Sequence, residues 1–337
     1  MPCYYPLDGW RSKQPNDNGK YPIVFDRSQA QLDSPLRIPC GRCIGCRLEY
    51  SRQWALRCLH ESSLYEKNCF LTLTYNDDNL PPDGDLLHDD FQRFMKRLRK
   101  RFVPTNPFCK KTQKDEYDSF QRKHWIRFYM CGEYGSPTPD DLWNNLGRPH
   151  YHAILFNFDF HDKEYFHTSD SGSSIYTSDL LDDLWNLGHA SIGDVTFESA
   201  AYVARYCTKK ITGEGDEKYG IPSADEWYTR VCLETGIESP LTPEYVNMSR
   251  NPGIAFDWFQ QYQSDLTKDY VTVNGIKHKS PKYYDNLMKK YDDGLWSDLA
   301  QARSNLIDPL DLEYSSDRLR TKEQIKKQKL KLLPRTL

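Results

Sequence analysis

The chain of 337 residues is about two average domains long, and its 45 Lys and Arg against 48 Asp and Glu leave a net charge of −3, so nucleic-acid affinity would have to come from local patches. Aromatic residues at 14% set it apart from disordered chains, and the absence of any run of 18 apolar residues argues against a membrane span. The start, Met1-Pro2-Cys3-Tyr4-Tyr5-Pro6, has neither the basic nor the apolar stretch of a secretion signal, so the ten cysteines read as reduced thiols or metal ligands.

Residues 1–36 are rich in Pro, Asn, Asp and Gly and read as loop, with one short apolar piece at Ile23-Val24-Phe25. A cysteine-rich run follows, Cys40-Gly41-Arg42-Cys43-Ile44-Gly45-Cys46, and then a helix over residues 48–65. Residues 69–75 are β-branched and aromatic and predict a strand. Phe91, Phe94, Met95, Leu98 and Phe102 form the stripe of an amphipathic helix, with Asp89 or Asp90 as cap and Pro104 barring its continuation. Strands are expected over 125–131 and 150–156, the second apolar on both faces and therefore interior. A helix over 177–187, a strand over 189–195 and a helix over 197–210 capped by Thr196 complete the pattern. This order predicts an α+β fold with a mainly antiparallel central sheet flanked by helices. Beyond residue 215 the periodicity weakens. The expected division is a Cys-rich segment with its helix (1–65), a catalytic domain (66–214) and an irregular C-terminal region with a basic tail (215–337).

Two constellations in the middle of the chain carry chemistry. In His150-Tyr151-His152, a strand would project both imidazoles from one face, where with a carboxylate they leave positions open on a divalent cation. In Tyr202-Val203-Ala204-Arg205-Tyr206-Cys207-Thr208-Lys209-Lys210, a helix would stack Tyr202 and Tyr206 one turn apart, with Lys209 or Lys210 a further turn along. A phenol, with an ordinary pKa of about 10, attacks poorly near neutrality unless an ammonium or a metal assists. Taken singly, each pattern has a plainer reading: two packed histidines, or an aromatic stripe facing the core.

Their order and context say more. Phe70-Leu71-Thr72-Leu73-Thr74-Tyr75, then His150/His152, then Tyr202-x3-Tyr206-x2-Lys209 resemble the three motifs of the rolling-circle initiators of the His-hydrophobe-His endonuclease superfamily. The flanks Cys131-Gly132-Glu133-Tyr134-Gly135, Gly147-Arg148-Pro149 and residues 193–206 are similar to the replication initiators of small single-stranded DNA phages, the gokushovirus branch of the microviruses above all. The resemblance covers residues 38–213, with a weaker echo at 248–254. Tyr151 departs from it as the residue between the histidines, which leaves its packing role to be found.

The resemblance implies a ferredoxin- or RRM-like sheet and a metal-dependent nickase. His150 and His152 would ligate Mg²⁺ or Mn²⁺, with Glu133 the candidate third ligand. Tyr206 would attack the scissile phosphate, form a 5′-phosphotyrosine and free a 3′-hydroxyl; Tyr202 would be the alternate nucleophile. Lys209 or Lys210 would steady the phosphorane or protonate a leaving oxygen. The reaction would need no ATP, and no Gly-x4-Gly-Lys-Ser/Thr loop is present to bind it. Implied partners are single-stranded origin DNA and the host helicase and polymerase, in the cytoplasm of the bacterial host. A plasmid initiator, relaxase or transposase of the same superfamily, or a non-catalytic zinc-stapled nucleic-acid-binding protein, are the alternatives.

Cys40, Cys43 and Cys46 can share one structural Zn²⁺ if a fourth ligand closes the tetrahedron. Cys58 and His60 are the nearest candidates, and Cys3 is possible. Basic patches lie on the helix after Asp90, with Arg97, Lys100 and Arg101, and near the C-terminus, with Lys326 and Lys327. Such clusters neutralise phosphates.

Overall fold

The computed structural model describes residues 3–137, 146–169, 172–206, 210, 214–215, 222–305 and 315–331. The N-terminal stretch corrects the loop expectation. Strands β1 (Leu7–Ser12), β2 (Ile23–Val24) and β3 (Ala30–Ile38) pair antiparallel in the order β2-β1-β3. Its turn-forming residues, Pro15 to Gly19 and Pro22, concentrate in the connection between β1 and β2, so averaged composition hides the short strands on either side.

Helix α1 (Ile44–Ser62) leads to β4 (Asn68–Thr74), α2 (His88–Phe102), α3 (Lys114–His124), β5 (Arg127–Tyr134) and β6 (Pro149–Phe156). A hairpin, β7 (Glu164–Thr168) and β8 (Ser174–Thr177), precedes α4 (Asp179–Trp185), β9 (Ala190–Gly193) and α5 (Phe197–Tyr206). Helix α3 buries no residue and β7 is exposed along its length, so neither writes an apolar period into the sequence. Helix α2 begins one residue before its aspartates. Asp90 is not its cap but accepts a hydrogen bond from the Tyr75 hydroxyl at 2.7 Å. Helix α5 starts as expected: Thr196 Oγ1 accepts from Ser199 N at 3.1 Å while Thr196 N donates to Ser199 Oγ at 2.8 Å.

The C-terminal stretch holds α6 (Ala224–Trp227), β10 (Thr229–Val231), β11 (Glu238–Pro240), β12 (Tyr245–Met248) and α7 (Phe256–Tyr262). After these come β13 (Tyr270–Val273), β14 (Ile276–Lys279), α8 (Lys282–Tyr291), α9 (Asp293–Asn305) and α10 (Ser316–Lys331). None of its strands exceeds four residues. Strand β12 nevertheless joins the central sheet as its edge beside β5. Residues 51–299 form one compact unit, and residues 1–50 with 300–335 form another.

The central sheet has seven strands in the order β12-β5-β6-β4-β9-β8-β7, every ladder antiparallel. The fold is α+β, and β6 lies in its interior as its apolar sequence required. One face packs Leu71, Leu73, Met130, Tyr151, Ala153 and Leu155 against Phe91, Phe94, Met95 and Leu98 of α2 and Leu181, Leu184 and Trp185 of α4. The other packs Phe70, Tyr129, Cys131, Ile154 and Phe156 against Ala55 and Cys58 of α1 and Ala200, Val203 and Ala204 of α5. Small residues on α5 let its backbone approach the sheet closely. No helix among the described residues is long and apolar enough to cross a membrane.

Tyr151 points into the α2 face, away from its histidine neighbours, and is fully buried. Its hydroxyl donates to the Leu87 carbonyl at 2.8 Å and lies 2.8 Å from the Tyr75 hydroxyl. The residue between the histidines is therefore a polar-tipped core residue. Tyr151→Phe should keep the packing but remove the hydroxyl's contacts with the Leu87 carbonyl and Tyr75, lowering unfolding free energy by about 1 kcal/mol in urea titrations.

Burial lowers the pKa of His60 to about 4, while its Nδ1 sits 2.7 Å from the Tyr284 hydroxyl and its ring stacks 3.7 Å over Trp258. The unfolded imidazole takes a proton below its ordinary value of about 6.5, and the folded one resists until about pH 4. Its contribution is thus present above pH 6.5 and lost through that window, about 3 kcal/mol in all. Urea midpoints for wild type and His60→Phe should show a shallower acid dependence in the variant.

Candidate active site

The register of β5 against β6 sets Glu133 directly opposite His150, and β6 against β4 sets His152 opposite Thr72. Directly opposed residues share a face, and so do residues two apart on one strand. Glu133, His150 and His152 therefore all project from the face that α1 and α5 cover. His150 Nε2 lies 2.7 Å from Glu133 Oε1, and His152 Nε2 lies 3.1 Å from the same oxygen. One ligand atom from each of the three residues falls within 4.8 Å of the others.

The histidines are held from behind. His150 Nδ1 is 3.3 Å from the Arg148 carbonyl, and His152 Nδ1 is 3.0 Å from Thr72 Oγ1. Both rings thereby turn their Nε2 atoms toward the carboxylate, the arrangement in which outer hydrogen bonds orient imidazole ligands. Glu133 is almost wholly buried, and burial alone would raise its pKa. Hydrogen bonds and charge from His150 and His152 outweigh that and hold the carboxyl below its ordinary value. Two imidazole nitrogens and a carboxylate oxygen on one side suit a divalent cation with positions left for a phosphate.

Tyr202 of α5 reaches this cluster. Its ring meets His152 edge-to-face with centroids 5.1 Å apart, and Phe70 at 6.4 Å. Tyr206 ends the helix one turn further on, but its side chain and Lys209 lie outside the described residues; Lys210 is exposed. The histidines and the tyrosine helix, 50 residues apart in sequence, thus share one face of one sheet.

The basic helix is not brought to the same place. Helix α2 covers the opposite face, and the Arg97 guanidinium donates to the carbonyls of Leu184 and Trp185 at 2.8 and 3.2 Å, closing the end of α4. Lys100 and Arg101 on α2, and Lys326 and Lys327 on α10, are exposed. The expected fourth partners of the cysteine run are corrected as well. Cys58 is buried in the core and His60 is engaged with Tyr284 and Trp258, whereas Cys3 Sγ gathers with those of Cys40, Cys43 and Cys46. Residues 46 and 58 lie on one helix, about 18 Å apart along its axis, too far to share an ion.

The chain matches the family described as replication-associated protein ORF2/G2P over residues 68–211, the span that carries the cluster and α5. It is 30% identical over 277 residues to replication-associated protein VP4 of Bdellovibrio phage phiMH2K, covering 81% of this chain and 75% of that one. It is 31% identical over 264 residues to replication-associated protein ORF2 of Spiroplasma virus 4, covering 75% and 68%. The chain belongs to the microvirus-type phage replication-associated proteins. Replication-associated protein ORF4 of Chlamydia phage 1 is 26% identical over 75% of this chain and 54% of its own length. No solved structure matches the chain.

Thr72 and Gly147, both within the family-like motifs, support the cluster in ways that the sequence alone does not reveal. The Thr72 hydroxyl orients His152, a role visible only once the β4–β6 register is known. Gly147 begins the turn into β6, where a Cβ would lie 2.4 Å from the Ser136 carbonyl oxygen, so only glycine lets the two backbones close beside Glu133 and His150. Thr72→Val, which keeps the shape and removes the oxygen, should weaken Mn²⁺ binding about 10–100-fold by calorimetry.

Proposed function

We propose that the protein initiates phage DNA replication by nicking single-stranded or locally melted origin DNA through a tyrosine, and that it ends a round by rejoining the strand. The observation that carries this reading is the convergence of Glu133, His150 and His152 within 4.8 Å, with Tyr202 of α5 against His152. Mg²⁺ or Mn²⁺ held by these three residues would supply Lewis acidity, drawing charge from the oxygens of the scissile phosphate. Tyr206 is the proposed nucleophile, and Tyr202 the alternate one. The phenolic oxygen, its proton passing to solvent, bonds to phosphorus as the bond from phosphorus to the 3′-oxygen breaks, leaving a 5′-phosphotyrosine. The 3′-oxygen departs with a proton as a hydroxyl that a polymerase can extend, and Lys209 or Lys210 would steady the charge or supply that proton. Rejoining runs the same exchange backwards: a 3′-hydroxyl attacks the phosphotyrosine and the phenol leaves.

Two tyrosines one helical turn apart would let a second cleavage occur while the first strand is still attached. Lys100, Arg101, Lys326 and Lys327 are the proposed phosphate contacts, releasing counterions on binding. Arg97 is left out because its donors already close α4. Host helicase and polymerase are the proposed partners, in the bacterial cytoplasm.

Incubation with Mn²⁺ and single-stranded origin DNA should give a covalent protein–DNA adduct on a denaturing gel. The adduct should disappear when Tyr202 and Tyr206 both become Phe. His150→Ala or His152→Ala should abolish cleavage while leaving DNA binding within a few-fold of wild type. An adduct that survives the double tyrosine change, or DNA binding lost in step with cleavage, would sink the assignment.

A further inference from the structure

Residues 1–50 and 300–335 form a compact unit with an unusual deficit. The three large apolar clusters of the protein are built from residues 54–299. Within the smaller unit, the buried cluster among the described residues consists of Cys3, Tyr4, Cys43 and Cys46, flanked by Cys40 and Ile44. Phe25, just after β2, and Leu32 of β3 are 58% and 60% exposed, so little apolar area stabilises this sheet. With so little buried apolar area, the region around β1–β3 is the kind of structure held by a metal or disulfide staple.

The four cysteines offer one. Their Sγ atoms all lie within 4.8 Å of one another. A single Zn²⁺ with Zn–S bonds of about 2.3 Å spaces tetrahedral sulfurs by about 3.8 Å, which fits that limit. Backbone amides already face the sulfurs: Cys40 N donates to Cys3 Sγ at 3.2 Å, Cys43 N to Cys40 Sγ at 3.3 Å, and Tyr4 N to Cys43 Sγ at 3.4 Å. Four thiolates around a dication carry a net charge of −2, and such donors offset it.

We infer that Cys3, Cys40, Cys43 and Cys46 hold one structural zinc ion that replaces a hydrophobic core for this unit, tying the approach to β1 to the first turn of α1. Because structural zinc binding and folding are one equilibrium, removing the ion would unfold the unit around β1–β3. This zinc site takes no part in DNA cleavage.

The test uses the full chain carrying His150→Ala and His152→Ala, so that zinc reports only on the cysteines. Elemental analysis should find one zinc per chain, and Co²⁺ exchanged into it should show the intense visible bands of a tetrahedral thiolate site. Cys3→Ser should weaken zinc at least 100-fold against a chromophoric chelator, whereas Cys109→Ser, at an exposed thiol, should leave it unchanged. Chelation should open residues 1–50 to protease while residues 51–299 stay protected. Absence of zinc from the purified chain overturns the inference, and so does undiminished affinity in Cys3→Ser. A disulfide joining any two of the four cysteines in freshly purified protein overturns it equally.

Discussion

The antiparallel register between β5 and β6 is the constraint on which the candidate active site depends. It sets Glu133 opposite His150, and the period of two along a strand then carries His152 to the same side. A slip by one residue would turn the carboxylate and the imidazoles to opposite faces and break the cluster outright. The register is held from the far side of the sheet, where Tyr151 is buried with both its hydroxyl contacts made. Sealing the core on one face and arming the other are thus the same event.

A second restraint acts at the opposite end of β5. Arg127 pairs with Glu61 of α1 inside the protein at 2.5 Å and donates to the Pro252 carbonyl at 2.8 Å, while Glu61 also accepts from Ala255 N at 2.6 Å. Burial raises the Glu61 pKa even though Arg127 and the Ala255 amide pull it down. Removing either charge would leave the other buried and uncompensated, a loss of about 3–5 kcal/mol. The segment from β12 to α7 is locked to β5 by these bonds and by the Ser249 pair with Phe128. Residues 248–254, far from the histidines in sequence, are thereby held against the strand that carries Glu133.

The two groups of metal-type donors obey different logics. Glu133, His150 and His152 project from a rigid sheet whose apolar faces would stand without them, so they are available for chemistry. The cysteines are gathered where apolar burial is scarce, and their convergence is itself most of the local core. Placing the first group on strands, and the second on loops and the first turn of α1, matches this division, since strands hold donors to the tolerance chemistry needs.

What the sequence determined alone is whatever local backbone geometry dictates. The period of two in His150-Tyr151-His152, the stripe on α2, the i, i+4 spacing of Tyr202 and Tyr206 and the interior character of β6 all follow from repeat lengths that no packing can alter. The motifs and their flanks were enough to reach the family. What the tertiary structure decided involves partners distant along the chain: Cys3 closing the cysteine cluster in place of Cys58 or His60, Thr72 behind His152, and α2 covering the face away from the histidines. Nor do α3 and β7 leave a trace in the sequence, since neither buries an apolar face. Strand register and loop closure depend on the free energy of pairings across tens of residues, and residue order states that energy only after the whole sheet has formed.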